Sequence, residues 1–397
     1  MSINRRTLFG AAAAVTSYIG AALTGRKANA KTIPADIEPR GSIDRLERLA
    51  TLDGESRDDF LTGMRGWRGA TLVPVARDRF NDILKANGHD PKKDLPRETI
   101  FSLIKNDHLV GSEARIRIDT QRLAQDNNKW NFESNADTFL EEMEAYDKIG
   151  PGTLELNPEM HIPDYTKHEI HMQPGGYVGN PFAGAIYHYG TNAFYLARNS
   201  RNYQDEHHTS LGNQVGTPPD GRITRILDMG CGIGQLTVAL KERFPNAEVW
   251  GVEIGGPMIR YGHMRAVDLN VDVNLAQRLA EDTKFPDNHF DIVTSNILHH
   301  EVTGDASKEI IAEAYRVLRP GGVYYPMDFF TGNRRIPSTA YGSYMQWKDH
   351  RWNVEVWRME YANLDFPGEM RIAGFDVNEK GPQSWYGRHN VIGLKPV

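Results

Sequence analysis

The chain has 397 residues, a formal net charge of −6, 40% hydrophobic residues and 25% charged residues. This composition is typical of a folded globular protein of two or three domains, and the acidic balance gives no sign of a nucleic acid or an anionic membrane as a partner. The one cysteine, Cys231, excludes an intramolecular disulfide and a zinc site built from cysteines.

The first 30 residues have the pattern of an export signal. Arg5 and Arg6 precede a mildly apolar run over residues 10–23, and residues 28–30 read Ala-Asn-Ala. A positive start, an apolar middle and an Ala-x-Ala end are typical of a secretory signal, and the arginine pair indicates the twin-arginine route. The apolar run contains Gly, Ser and Thr, so it is a poor membrane span. We expect cleavage after Ala30 and a periplasmic protein that is cytoplasmic before export, with the twin-arginine translocation machinery as a partner.

Residues 31–221 are predicted to be a mainly helical region with a linker at each end. Residues 31–41 contain two prolines and a glycine, and residues 199–222 are rich in Asn, Gly, Asp and Pro. Between these linkers, apolar residues at helical spacing predict four helices, over residues 42–49, 78–85, 97–109 and 135–149. We expect this region to cover a core or to shape a substrate pocket.

Histidines and aromatic residues are frequent over residues 157–190. His168, Glu169 and His171 have side chains that can ligate zinc or iron, but their spacing is not His-Glu-x-x-His, and we predict no metal site. A second group consists of Tyr187, His188 and Tyr189. It has two interpretations, a place in a substrate pocket or packing against the core.

The stretch that organises the rest of the chain is residues 225–236, which read RILDMGCGIGQL. Its apolar residues predict a short buried strand, a helix is predicted over residues 236–244, and three glycines form the turn between them. Such a turn lets the backbone approach a ligand closely. A dinucleotide fingerprint needs its third glycine where this chain has Gln235. Asp228 would repel phosphates and suits a ligand that carries positive charge. Cys231 is interpreted as a small residue in a crowded turn rather than as a nucleophile.

This stretch resembles the first motif of the class I S-adenosylmethionine-dependent methyltransferases. Three later stretches resemble the same family in order: residues 247–253 its second strand, 285–293 its loop into strand four, and 316–323 its helix, turn and fifth strand. The resemblance runs over residues 222–397, with an aromatic-rich insertion at about 331–366. It implies an α/β fold, a Rossmann-like seven-stranded, mostly parallel sheet with helices on both faces. It also implies a methyltransferase that acts on a small molecule.

The resemblance implies eight residues that bind S-adenosylmethionine, the expected cosubstrate. They are Asp228 and Gly230 at its amino and carboxylate end, Gly232 and Gly234 where the backbone approaches it, Glu253 at the ribose, Ala280 and Glu281 at the adenine edge, and Asn296 at the methyl-transfer channel. The family often has an acid just before this alanine, whereas this chain has Leu279. The adenine contact therefore falls to Glu281 or to the backbone.

The expected reaction is an in-line displacement at the sulfonium methyl group, and alignment of the reactants can supply most of the lowering of its barrier. A base is needed only if the acceptor carries a proton at neutral pH. His299 is the candidate base, with a polar loop histidine as the alternative interpretation. The residues after Asn296 are Ile-Leu-His and not the Asn-Pro-Pro-aromatic motif of enzymes that methylate planar amino groups, so such targets are disfavoured.

Large aromatic residues in the insertion have two interpretations, an apolar lid over the substrate or the core of a helical insertion. They are Tyr341, Tyr344, Trp347, Trp352, Trp357 and Tyr361.

The export signal leaves a second function open. Because S-adenosylmethionine is made in the cytoplasm, the alternative is an exported protein that binds a ligand or a partner and keeps the methyltransferase fold without turnover.

Overall fold

The computed structural model describes residues 41–43, 45–195, 203–329, 331, 339–381 and 390–397. The predicted signal at residues 1–30 lies outside these ranges. Within them, no helix is long and apolar enough to cross a membrane.

The first described segment is a hairpin of two short strands, β1 (Ser42–Ile43) and β2 (Leu46–Glu47), which pair antiparallel. The helix predicted over residues 42–49 is therefore wrong. The N–H of Arg48 donates to the carbonyl of Gly41 at 2.9 Å, and this bond folds the chain back on itself. Eight residues make too short a helix to be stable without packing. The hairpin also buries one of the apolar residues that suggested the helix, since Leu46 is only 3% exposed.

The region that precedes the core is mainly helical, as predicted. Its helices are α1 (Leu52–Trp67), α2 (Val73–Ala86), α3 (Arg97–Ile104), α4 (His108–Glu133), α5 (Ala136–Tyr146), α6 (Ala183–Tyr189) and α7 (Tyr203–Gln214). The helix predicted over 97–109 ends at Ile104 because the Asp107 carboxylate accepts bonds from the Leu109 and Val110 N–H groups and so caps α4.

Helices α1, α4, α6 and α7 were not predicted, and α7 lies within residues 199–222, where the prediction of a linker is therefore wrong. The buried face of α4 carries polar side chains, among them Gln121, Gln125, Asn127 and Asn128. A helix whose buried face is polar shows no apolar stripe, so periodicity alone does not reveal it.

The core is one eight-stranded sheet, and its strands in chain order are β3 (Thr153–Glu155), β4 (Arg225–Met229), β5 (Glu248–Glu253), β6 (Asn274–Gln277), β7 (Phe290–Asn296), β8 (Leu318–Met327), β9 (Asp376–Asn378) and β10 (Ile392–Leu394). Their spatial order is β3-β6-β5-β4-β7-β8-β10-β9, and within the described ranges the antiparallel pairs are β8 with β10 and β10 with β9. The mostly parallel α/β sheet is confirmed, whereas the predicted count of seven is wrong. The extra strand, β3, comes from the N-terminal region and has only three residues, too few to give a strand pattern.

Helices cover both faces of this sheet, and those that follow β4 are α8 (Gln235–Arg243), α9 (Gly256–Asp268), α10 (Gly304–Val317), α11 (Ala340–Trp352), α12 (Arg358–Asn363) and α13 (Phe366–Ala373). Alternate residues of β4 point to opposite faces. Leu227 packs in the apolar cluster that includes α10 and α13, whereas Ile226 packs in the cluster that includes α7, α8 and α9. Burial on both faces leaves the carboxyl edge of the sheet as the place for polar side chains.

Candidate active site

A cavity of about 280 Å³ lies at the carboxyl ends of the central strands. Strand β4 lies between β5 and β7 and is parallel to both, so Asp228, Glu253 and Asn296 end at one edge of the sheet. All three side chains line the cavity, together with Gly230 and Gly232. Crevices at this edge are where ligands bind in open parallel sheets.

The glycine turn brings bare backbone to the cavity. Gly230 has a φ of 66°, and a Cβ atom at this position would lie 2.6 Å from Cδ1 of Leu298. Gly232 has a φ of 56° and donates its N–H to the Glu253 carboxylate at 3.1 Å. Both the left-handed backbone and the close approach of Leu298 require glycine. Gly234 precedes α8 as its N-cap and is not among the described wall residues.

Asp228 is a buried carboxylate with one side-chain hydrogen-bond partner among the described residues. It is 1% exposed and accepts a hydrogen bond from the Thr237 hydroxyl at 2.8 Å. Burial raises the pKa of Asp228 to about 7, and the neighbouring charge of Glu253 adds to the rise. A positively charged ligand in the cavity would reverse this effect, because an opposite charge favours the ionised carboxylate.

Glu253 is held by the backbone of two loops. Its carboxylate accepts bonds from the N–H groups of Gly255 at 3.0 Å and Gly232 at 3.1 Å. Burial raises the pKa of Glu253, although both backbone bonds favour the charged form. A carboxylate has about four acceptor positions, so two backbone bonds leave room for the hydroxyl groups of a ligand.

Asn296 connects the core to the N-terminal region. Its side-chain amide lies 3.2 Å from Nε2 of His208, a residue of α7 that also lines the cavity. The next residue, Ile297, has a φ of 58°, which is unusual for a β-branched side chain. This conformation turns the chain after β7, so that Leu298 packs beneath Gly230.

The remaining predicted site residues lie away from the described cavity wall. The Glu281 carboxylate accepts a hydrogen bond from the Tyr165 hydroxyl, and Ala280 packs against an apolar core cluster. His299 is fully buried, with Nδ1 2.7 Å from the Ser307 hydroxyl and Nε2 2.9 Å from the Tyr324 hydroxyl. Burial lowers the pKa of His299 to about 4. The structure thus brings Asp228, Glu253 and Asn296 together and leaves His299 in the core.

A buried ion pair stands at another part of the wall. Nδ1 of His300 lies 2.8 Å from the carboxylate of Asp328, which lines the cavity. Although burial opposes the charged ring, Asp328 raises the pKa of His300 above its ordinary value. The same pairing lowers the pKa of Asp328 in spite of its burial. No sequence motif indicates this pair, because its members lie 28 residues apart on different segments.

The N-terminal region supplies wall residues that no family motif identifies, and they include Thr166, His168, Ile170, His171, Tyr177, Val178, Tyr187 and Thr191. Of the tyrosine–histidine group, Tyr187 reaches the cavity, whereas the Tyr189 hydroxyl donates to the Glu47 carbonyl and His188 contacts Tyr261. In the sequence, the one indication of these wall residues was the high frequency of histidine and aromatic residues over residues 157–190. Across the described ranges, no group of three or more His, Cys, Asp or Glu residues is placed to hold a metal ion.

The aromatic residues of the insertion pack against helices of the N-terminal region. The Tyr344 ring stacks on Phe80 at 5.4 Å, and the Trp347 ring meets Phe101 edge-on at 4.6 Å. None of the six tyrosines and tryptophans named above is among the described residues of the cavity wall. This placement supports the interpretation as helical core over the interpretation as a lid.

Comparison with known proteins identifies the class of this core. Residues 226–322 match the family model described as a methyltransferase domain. The chain therefore carries a methyltransferase domain of the S-adenosylmethionine-dependent kind, which confirms the class and the cosubstrate predicted from the sequence.

Two curated relatives resemble this part of the chain. The chain is 32% identical over 173 residues to the ubiquinone/menaquinone biosynthesis C-methyltransferase UbiE of Stutzerimonas stutzeri, covering 38% of this chain and 65% of the relative. It is 36% identical over 110 residues to the demethylmenaquinone methyltransferase of Thermus thermophilus, covering 26% and 47%. The chain thus spans less than two thirds of the length of each relative. A solved O-methyltransferase family protein from Burkholderia thailandensis has 16% identity and a TM-score of 0.40, covering 54% of this chain and 60% of that one.

Proposed function

We propose that this protein transfers a methyl group from S-adenosylmethionine to a small-molecule acceptor held in the same cavity. The observation that carries the proposal is the convergence of Asp228, Glu253 and the bare backbone of the glycine turn on one cavity. A buried carboxylate favours the cationic end of the cosubstrate, and a second one with free acceptor positions suits ribose hydroxyls. Alignment of the acceptor with the sulfonium methyl then lowers the barrier to in-line displacement.

The residues of the cavity wall also favour one class of acceptor, an uncharged and largely apolar molecule. Many of its residues are apolar, among them Val178, Leu211, Met258, Leu298, Met327 and Phe329, and none of its described residues is Lys or Arg. The acids Asp228 and Glu253, on a wall whose described residues include no lysine or arginine, disfavour an anionic acceptor. The names of the two curated relatives refer to quinone biosynthesis, which adds support for a ring compound as the acceptor.

Calorimetry with the mature protein tests the cosubstrate. We expect S-adenosylmethionine and its demethylated product, S-adenosylhomocysteine, to bind with dissociation constants of about 1 µM to 1 mM, the usual range for enzyme substrates. If neither compound binds, the proposal is refuted.

We further propose that residues 1–30 direct export by the twin-arginine route. The pattern of Arg5, Arg6 and the Ala-Asn-Ala end supports this. In a periplasmic fraction, mass spectrometry should find an N-terminus at Lys31, and changing both arginines to lysine should keep the precursor in the cytoplasm. A periplasmic protein that still begins at Met1 would contradict the cleavage site.

The export pattern also favours the second candidate function, a protein that binds its ligand without turnover. S-adenosylmethionine is made in the cytoplasm, so a preloaded protein could complete one turnover outside it. A screen of many acceptors distinguishes the two functions. Bound S-adenosylmethionine with no S-adenosylhomocysteine formed would favour the binding protein, and product formation would favour the enzyme.

A further inference from the structure

His168 lines the cavity, and within the described part of the chain only one of its ring nitrogens has a partner. Its Nδ1 lies 3.1 Å from the carbonyl oxygen of Tyr165. Because a carbonyl oxygen only accepts, the ring proton is on Nδ1, and Nε2 carries a lone pair. Nε2 is buried, and no described residue is within hydrogen-bond distance of it. A buried acceptor of this kind is costly to leave unpaired, which indicates that a ligand completes it.

His171 lies on the same part of the wall and has the opposite tautomer. Gln121 donates to Oδ1 of Asn353 at 2.6 Å, which directs the Asn353 amide nitrogen toward Nδ1 of His171 at 3.0 Å. The His171 proton is therefore on Nε2, which lies 3.5 Å from the Glu301 carboxylate. His171 is thus a donor that faces Glu301, whereas His168 keeps a lone pair.

The backbone around His171 is fixed from both sides. His171 has a φ of 55°, a left-handed conformation that non-glycine residues seldom adopt. Its N–H donates to the Asn353 carbonyl at 2.9 Å, and its own carbonyl accepts from Gln121 at 2.8 Å. Backbone strain of this kind persists only where the surroundings enforce it, and it is concentrated at functional sites.

Burial is the main reason why the ring of His168 is neutral. Burial lowers its pKa, Glu301 on the loop after β7 opposes this, and the nearby His171 on its own segment adds to the lowering. Among the described residues, Glu301 and His171 are the ionisable groups that act on His168. A neutral imidazole with a lone pair can accept a proton.

We propose that Nε2 of His168 is the base that takes the hydroxyl proton of a phenol-type acceptor; this rests on the proposed methyltransferase function. The O–H bond breaks and its proton moves to Nε2. The phenolate oxygen forms a bond to the methyl carbon, the bond from that carbon to sulfur breaks, and its electron pair stays on sulfur. S-adenosylhomocysteine leaves with a neutral sulfur, and His168 returns its proton to water. Tyr177, Tyr187 and Phe329 on the wall supply faces against which an aromatic ring can pack.

The test uses the full protein with S-adenosylmethionine and 4-nitrophenol as the probe, and it measures the rate of methylation as a function of pH. Below the probe's own pKa a base must take the hydroxyl proton, whereas above that pKa the probe is already a phenolate. His168→Gln keeps an N–H donor for the Tyr165 carbonyl but has no basic lone pair. His161→Gln changes an exposed histidine seven positions earlier and is the matched control. Below the probe's pKa we expect methylation by the wild type and the control and its loss in His168→Gln, whereas above that pKa the three rates should approach one another.

Calorimetry with S-adenosylhomocysteine on the same three proteins separates this inference from the proposed function. Equal affinities are expected, and a wild type that does not bind it would refute the proposed function itself. If the nucleoside binds, absence of phenol methylation by the wild type, or an equal rate in His168→Gln below the probe's pKa, would overturn the assignment of His168. The rate of phenol methylation is expected to fall by about 100-fold or more in His168→Gln.

Discussion

Nε2 of His299 lies 2.9 Å from the phenolic oxygen of Tyr324, and this contact holds the histidine ring in the core. Its other ring nitrogen is 2.7 Å from the Ser307 hydroxyl. Both nitrogens are thus engaged within the protein, although His299 follows the strand that ends at the cavity. The left-handed backbone of Ile297, with a φ of 58°, sets the direction of the chain at this point.

We therefore predict that His299→Ala affects stability and not binding. Removal of a buried ring leaves a cavity and two unpaired hydroxyl groups, so the free energy of unfolding should fall by about 2–4 kcal/mol. Affinity for S-adenosylmethionine should change by less than about twofold. Urea denaturation and calorimetry measure the two quantities. A methylation rate that falls 100-fold at unchanged stability would instead support His299 as the base.

Glu253→Ala should weaken the binding of S-adenosylmethionine by about 10- to 100-fold, because hydrogen bonds to a charged group contribute about 1.5–3 kcal/mol each. The matched control is Glu248→Ala, an exposed acid at the start of the same strand. Calorimetry on both variants checks the prediction. Equal affinities for the two variants would place the ribose elsewhere.

Asp228→Asn should stabilise the protein without ligand at alkaline pH. Burial raises the folded-state pKa of Asp228 to about 7, above its ordinary value of 3.8. Folding therefore favours the protonated form, and the wild type loses unfolding free energy as the pH rises from about 4 to about 7. The asparagine does not ionise and can still accept from Thr237. Thermal melts at pH 5 and pH 8 should show the gain in stability mainly at pH 8, and a gain equal at both would contradict the raised pKa.

The affinity for S-adenosylmethionine should rise with pH up to about 7 and then level off. The cationic ligand favours ionised Asp228, whose pKa without ligand is raised to about 7 by burial, so binding below that pH releases a proton. Calorimetry in two buffers of different ionisation enthalpy measures the proton released. Asp228→Asn should bind weakly and show no such release. If the wild type takes up protons on binding instead of releasing them, ionisation of Asp228 does not accompany binding.

Gly230→Ala should be more harmful than Gly221→Ala. Both glycines have positive φ, 66° and 71°, so alanine strains the backbone at either site by about 1 kcal/mol. A Cβ atom on Gly221 meets nothing within 4 Å, whereas one on Gly230 lies 2.6 Å from Leu298. Leu298 and Gly230 both line the cavity, so only Gly230→Ala should also weaken binding of S-adenosylmethionine. Equal melting temperatures and affinities would show that Leu298 moves aside without cost.

The sequence by itself determined the order of strands, turns and helices in the core and the convergence of its two acids. Alternating apolar strands and helices imply a parallel sheet, and neighbouring parallel strands end at one edge. Asp228 and Glu253 each end such a strand, and the structure places both on the cavity wall. This part of the site follows from local patterns because each residue is fixed by its own strand.

Only the tertiary structure decided which residues complete the cavity. The side chain of His171 contacts that of Asn353, which lies 182 residues further along the chain. Gln121 of α4 bonds to both residues, and the buried face of α4 is polar, with no apolar stripe. His299 follows a strand as expected, yet its ring points inward to Tyr324. Local periodicity records which face of an element is buried, whereas the direction of a loop side chain depends on the distant segments packed against it. For that reason the cavity-wall residues from the N-terminal region, such as His168 and Tyr187, could be identified only in the folded structure.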